Sequence, residues 1–228
     1  MGSLPKTYLA AYNLAQSAGW AWALVNITLH GIRHGQLAGV YGVAGSTVSF
    51  FQALSFLEVV HAAVGLVRGS PLTALMQWAG RSHILFALLH CIPELQETVA
   101  ATAMLRAWAI SEVIRYPWYA AQVLGRCPDW LTSLRYTAFI ALYPIGVIGE
   151  IIIMYSSIQI VKRRHLHSVA MPNALNFAFD YHLFLEGLLL VYPFLWYQLY
   201  SFLLTQRKRK LGAEPAGPAS VEQAGKTD

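Results

Sequence analysis

Between residues 131 and 157 the chain carries only two charges, Arg135 and Glu150. At ~1.5 Å of rise per residue, a helix of that length crosses the ~30 Å hydrocarbon core of a bilayer. Five further apolar runs accompany it, over residues 8–29, 47–67, 82–95, 98–118 and 183–204. A backbone in lipid must satisfy its own hydrogen bonds, which leaves helices or closed barrels, and runs of this length without strict alternation read as helices. The expectation is therefore an all-α, polytopic integral membrane bundle of about six transmembrane helices. The run 82–95 is the weakest, because Pro93 cuts it; it spans only when extended back through Leu75 and Trp78, and without it the count is five.

Composition agrees. The chain is 56% hydrophobic and only 12% charged, too little polar surface for a soluble domain of this size. One membrane-embedded domain over residues 1–211 fits, followed by a polar tail, 212–228, expected to be disordered and cytoplasmic. Residues 1–6 lead straight into the first apolar run without the features of a cleaved signal, so that run is expected to remain as an anchor. The net charge of +5 comes from short basic runs, Lys162-Arg163-Arg164 and Arg207-Lys208-Arg209-Lys210. Such runs suit anionic headgroups, and no base-reading motif accompanies them, so no nucleic-acid partner is expected. Cys91 and Cys127 alone make neither a disulfide framework nor a thiol metal site, and the eight histidines are scattered. No metal and no cofactor is expected.

Orientation follows from basic residues in short loops. With six helices, Lys6, Arg68, Arg81, Arg126 and the run 207–210 share one side, read as cytoplasmic, while segment 93–97 on the other side has no basic residue. Lys162-Arg163-Arg164 falls on that other side, against the rule.

Glu150 is the strongest pointer to function. An intramembrane carboxyl costs roughly 2.5 to 3.5 kcal/mol on insertion scales, so its default place is a polar site facing the bundle interior. Tyr143 precedes it by seven residues, almost two helical turns, which puts both side chains on one face ~10 Å apart along the axis, bracketing a small polar group on a substrate. Pro144, Gly146 and Gly149 predict a kink and a hollow beside the pair. On residues alone, a tyrosine in such a helix more often packs, and an isolated acid can simply tie helices together. Glu112 and Arg115, one turn apart, read first as an ion pair that lets both enter the membrane, and Glu58 and His61 stand at the same spacing.

Several short motifs in a fixed order add to this: Trp108-Ala-Ile-Ser-Glu112-Val-Ile-Arg115-Tyr116, Leu134-Arg135-Tyr136, Leu142-Tyr143-Pro144-Ile145-Gly146 with Glu150, and Met171-Pro172-Asn173 with Asn176-Phe177. Earlier pieces are Glu58-Val-Val-His61 with Gly65, and Gln77 followed by Arg81. In order and spacing the chain resembles the 3-hydroxyacyl-CoA dehydratases, including the plant PASTICCINO2-type proteins, also called protein tyrosine phosphatase-like proteins. The resemblance runs from Tyr12-Asn13 to Arg207-Lys208. It implies a multi-pass endoplasmic reticulum enzyme that removes water from very-long-chain (3R)-3-hydroxyacyl-CoA to give trans-2-enoyl-CoA, the third step of fatty-acid elongation, alongside other elongation enzymes. The family's catalytic Tyr and Glu map onto Tyr143 and Glu150; Glu112, Arg115, Tyr116, Arg135 and Tyr136 are candidate substrate-binding residues. The chain departs from the family pattern at Pro117, which predicts an early stop or kink in that helix.

Dehydration needs a base for the C2 proton beside the thioester carbonyl and an acid for the departing C3 hydroxyl. The Tyr143–Glu150 pair can supply both, with the roles left open. Arg68, Arg81, Arg126 and Arg135 are candidates for CoA phosphates, although positive-inside topology accounts for them equally well. Two rivals come from other classes. A cysteine phosphatase needs an Arg after His-Cys and five residues, where His90-Cys91 has Glu97, an acid that would repel phosphate. A catalytically inactive scaffold that binds other membrane proteins would use the same helices and leave Tyr143 and Glu150 idle.

Overall fold

The computed structural model describes residues 3–35, 38–169, 171 and 177–211. Among these the regular elements are helices, and one isolated antiparallel bridge joins Val169 to Phe179. Helix α1 (Ser3–His34) leads to α2 (Tyr41–Leu54) and α3 (Leu57–Ala63), separated only by Ser55 and Phe56. Helix α4 (Pro71–Ser82) runs without a break into a π-helical segment (His83–Leu89), and the short α5 (Pro93–Gln96) follows. The remainder is α6 (Val99–Leu124), α7 (Asp129–Arg135), α8 (Phe139–Arg164) and α9 (Tyr181–Leu211).

Local chemistry sets several of these ends. The Ser70 hydroxyl accepts from the Thr73 N–H with Pro71 in the first turn, and the Thr98 hydroxyl accepts from the Ala101 N–H at 3.2 Å, so α4 and α6 both start on a side-chain cap. Helix α6 ends at Gly125, whose φ of 69° is the left-handed conformation that glycine adopts without a Cβ penalty. Pro117 does not stop α6, which continues to Leu124; the early end predicted there is wrong, because one missing backbone N–H is tolerated when neighbouring helices pack around it.

Three stretches, Tyr41–Ala63, Asp129–Arg164 and Tyr181–Leu211, are long and apolar enough to cross a membrane. Helices α1 and α6 are as long, at 32 and 26 residues, but α1 contains Asn13, Gln16 and Asn26, and α6 contains Arg106, Glu112 and Arg115. The run 131–157 is not one helix: residues 136–138 form a turn between α7 and α8. The run 82–95 gains its length backwards, as α4 and the π segment together occupy residues 71–89.

Helix α6 is the central rod, packed against α1 on one side and α8 on another. Trp20, Leu85, Leu88, Met104, Leu105, Tyr116, Ile153 and Met154 fill the space between them and are fully buried. The α6–α8 approach depends on Gly149: a Cβ there would lie 2.8 Å from the Met104 Cβ and 3.0 Å from the Ala100 carbonyl oxygen. Helix α9 is peripheral. It leans on α8, and only Tyr181 and Leu185 of its residues are buried.

A chain of ion pairs ties α3, α4 and α6 together. Glu112, 1% exposed, pairs with Arg81 of α4 and, at 2.7 Å, with Arg115 one turn along α6. Arg115 reaches on to Glu58 of α3 at 2.9 Å, and Glu58 also accepts from the Tyr116 hydroxyl at 2.5 Å. The Glu112–Arg115 pair is the one expected from spacing. Glu58 and His61 are not partners: His61 instead shares a 2.9 Å hydrogen bond with the Tyr8 hydroxyl of α1. At the far end of the bundle Arg164 pairs with Glu94. The backbone N–H of Glu94 and the Arg164 guanidinium hold that carboxyl below the usual range.

This packing sets the cost of two kinds of substitution. Gly149→Ala forces Met104 or the Ala100 carbonyl to shift, and we expect a loss of about 1–3 kcal/mol, read as a lower melting temperature in detergent. Gly146→Ala, whose Cβ would sit 3.6 Å from Trp108, is expected to hold the parent's melting temperature. Glu112→Gln leaves two guanidinium groups short of a buried counter-charge, an expected loss of about 3–5 kcal/mol. Glu58→Gln should cost less, because the Glu58 side chain is 29% exposed and water can replace what is lost.

Candidate active site

The α8 helix places Tyr143 and Glu150 against α9. Glu150 is 8% exposed and uses both carboxyl oxygens: the Trp108 indole N–H of α6 donates to Oε1 at 2.9 Å, and the Tyr192 hydroxyl of α9 donates to Oε2. Tyr143 is half-buried and stacks in parallel, offset fashion with Tyr200, with ring centroids 6.0 Å apart and planes at 2°. Two α9 tyrosines eight residues apart thus meet two α8 residues seven apart, an antiparallel register set by matching helical rise. Among the described residues no hydrogen bond joins Tyr143 to Glu150.

Among the described residues two carboxyls are buried, and they are treated differently. Glu112 faces two guanidinium groups. The hydrogen-bond donors to Glu150 are an indole and a phenol, both uncharged. Arg81 comes closest to linking the two sites, because its guanidinium lies 5.3 Å over the Trp108 ring whose N–H holds Glu150. A carboxyl whose hydrogen-bond donors are all neutral is chemically available, since no cation is bonded to it.

The candidate substrate-binding residues divide. Glu112, Arg115 and Tyr116 belong to the ion-pair chain, with the Arg115 guanidinium 4.8 Å over the Tyr116 ring. Arg135 and Tyr136 sit where α7 ends, Tyr136 edge-on to Trp118 at 5.9 Å, and among the described residues no hydrogen bond or salt bridge joins either to Tyr143 or Glu150. Arg81 is spent on Glu112 and lies in a helix, so its reading as a loop residue free for CoA phosphates is corrected. Pro172, Asn173, Asn176 and the tail 212–228 lie outside the described residues. Among the described residues no three His, Cys, Asp or Glu side chains are grouped as metal ligands. Cys91, in the failed phosphatase motif, donates its thiol hydrogen to the Phe86 carbonyl at 3.2 Å.

Trp108 and Tyr192 are the site residues that sequence reasoning missed. Trp108 stood inside a recognised motif without a role. Tyr192 lies in an apolar run whose spacing to Tyr200 becomes meaningful only against the 143–150 spacing.

Comparison with known proteins gives the family of the chain. The family described as "Protein tyrosine phosphatase-like protein, PTPLA" matches residues 52–213. A mouse protein named very-long-chain (3R)-3-hydroxyacyl-CoA dehydratase 2 is 34% identical over 92% of this chain and 83% of its own. A Caenorhabditis elegans very-long-chain (3R)-3-hydroxyacyl-CoA dehydratase is 37% identical over 91% of this chain and 95% of its own. The Arabidopsis thaliana dehydratase PASTICCINO 2 is 32% identical over 90% and 93%. No solved structure matches the chain. With 162 of its 228 residues inside the family's matched region and these relatives aligned over most of its length, the chain belongs to the protein tyrosine phosphatase-like, PTPLA, family.

Proposed function

We propose that this chain is a hydro-lyase that dehydrates very-long-chain (3R)-3-hydroxyacyl-CoA to trans-2-enoyl-CoA, with Tyr143 and Glu150 as its acid–base pair. The observation that carries the reading is Glu150 itself: a buried carboxyl with no cation in contact, two turns from a tyrosine on the same helix, in a chain whose relatives are named for this reaction. In the reaction the C2–H bond breaks and its proton passes to the base. The electron pair forms the C2–C3 double bond, and the C3–O bond breaks as the hydroxyl takes a proton from the acid and leaves as water. A phenol and a carboxyl ~10 Å apart along a helix axis can reach toward each other over C2 and C3, which are adjacent carbons. No cofactor enters this chemistry, and CoA is part of the substrate.

The chain is further proposed to cross the endoplasmic reticulum membrane six times, with α1, α2–α3, α4 and its π segment, α6, α7–α8 and α9 as the spans and the tail cytoplasmic. Contacts between the ends support alternation. Tyr41 bonds to His90 at 3.1 Å, and Arg164 pairs with Glu94, which gathers the starts of α2 and α6 and the end of α8 at one end. The basic run 162–164 then shares that end with Glu94, whose charge offsets one of its cations. Arg68, Arg126 and Arg135 remain at the opposite, cytoplasmic end as groups that can face CoA phosphates, and other elongation enzymes are the proposed neighbours.

The test is mass spectrometry of trans-2-enoyl-CoA formed from a long-chain (3R)-3-hydroxyacyl-CoA by the purified, detergent-solubilised chain. Glu150→Gln and Tyr143→Phe are each expected to lower the rate ~100-fold or more while eluting as the parent does on size exclusion. Parent-like rates in both would remove the pair from the chemistry. A folded parent that yields no product would leave the scaffold as the better reading.

A further inference from the structure

Glu150 binds its two neighbours in a way that distinguishes its oxygens. The indole N–H of Trp108 is a donor only and takes up one lone pair of Oε1, which can give that partner no proton, so a proton shared with a neighbouring hydroxyl is favoured on Oε2. The Tyr192 hydroxyl donates and accepts, so it can stay bonded to Oε2 whether that oxygen is bare or protonated. Both partners reach Glu150 from other helices, Trp108 from α6 and Tyr192 from α9, across 42 residues of sequence in each case.

We infer that Trp108 and Tyr192 are the positioning residues of the dehydration, together fixing the Glu150 carboxyl plane so that Oε2 is the oxygen that exchanges the proton with substrate. This rests on the reading of Glu150 as catalytic. Trp108 is itself firmly held. It is 2% exposed, has the Arg81 guanidinium over its ring, and lies beside Gly146 of α8, where a Cβ would meet the indole at an ordinary 3.6 Å. Tyr192 approaches from the other side, on a helix with only Tyr181 and Leu185 buried. Oε1 therefore faces the bundle interior and Oε2 faces the α8–α9 seam, the seam where Tyr143 stacks on Tyr200. The carboxylate oxygen has lone pairs to spare, so a substrate hydroxyl entering at this seam can bond Oε2 beside Tyr192 without displacing it. Held from two sides, the carboxyl keeps the angle at which its free lone pair meets the C3 hydroxyl, and a misplacement of about 1 Å is worth ~100-fold in rate.

The experiment measures kcat and KM for enoyl-CoA formation by the full chain in detergent, for the parent, Trp108→Phe, Tyr192→Phe and Tyr197→Phe. Tyr197 lies on the same helix, is 68% exposed and serves as the control. The expected result is a fall in kcat of about tenfold or more in Trp108→Phe and Tyr192→Phe, with KM within about twofold of the parent and Tyr197→Phe unchanged. A structural role alone would instead reduce the yield of folded protein and leave kcat per folded molecule intact. Trp108→Phe alters a core position, so Tyr192→Phe, which removes one oxygen from a peripheral helix, decides the matter if the tryptophan variant does not fold. A parent-like kcat in Tyr192→Phe overturns the inference, as does a raised KM with kcat unchanged. A parent that forms no product overturns the dehydratase reading and this inference with it; an active parent with unaffected variants overturns this inference alone.

Discussion

A charge or carboxyl placed among apolar helices must be met by partners inside the bundle, because neither lipid nor packed side chains can solvate it. One face of α6 meets that demand. Trp108, Glu112 and Arg115 follow one another at spacings of four and three, which stacks them along a single stripe of the helix. Glu112 and Arg115 bind α3 and α4 through ions, and Trp108 binds α8 through Glu150. Helix α6 could not be wholly apolar and still hold this arrangement, since helices in lipid gain little from apolar contact beyond packing.

The two buried carboxyls of the described residues meet partners of different kinds. Glu112 sits between two guanidinium groups, so protonating it would strand buried positive charge. Glu150 is bonded by an indole and a phenol, which stabilise a carboxylate but also tolerate a neutral acid. A group that exchanges protons during a reaction cycle has to be stable in both states, and that condition is met at Glu150 and not at Glu112. Arg81 serves both sites, by charge at Glu112 and through the face of the Trp108 ring beside Glu150.

What the sequence disclosed follows the range of the interactions. The shared face of Tyr143 and Glu150 and the Glu112–Arg115 pair are local, fixed by a period of 3.6 residues, and were legible. The partners of these residues were not: Arg81 is 31 residues from Glu112, Arg115 is 57 from Glu58, and Trp108 and Tyr192 are each 42 from Glu150. No periodicity specifies such contacts. Hydropathy likewise found the apolar runs but missed the breaks at residues 55–56 and 136–138, because a turn inside an apolar stretch leaves its composition unchanged. The expectation of an early helix end at Pro117, drawn from proline's local preference, failed because packing overrides that preference.

Helix α9 shows how peripheral packing and a central role coexist. Its buried residues, Tyr181 and Leu185, lie in its first turns, where Tyr181 also bonds to His83 of the π segment at 2.6 Å, while Tyr192 and Tyr200 farther along touch α8 from outside. The helix is therefore anchored at one end and held elsewhere by a few aromatic contacts. The seam between α8 and α9 closes on the long helix with the fewest buried residues among those described. Both Tyr143 and the Oε2 oxygen of Glu150 face that seam. Both groups therefore lie where the least buried of the long helices meets its neighbour, and under the proposed dehydration reacting carbons that enter sideways from lipid would meet them there while the CoA moiety stays in water.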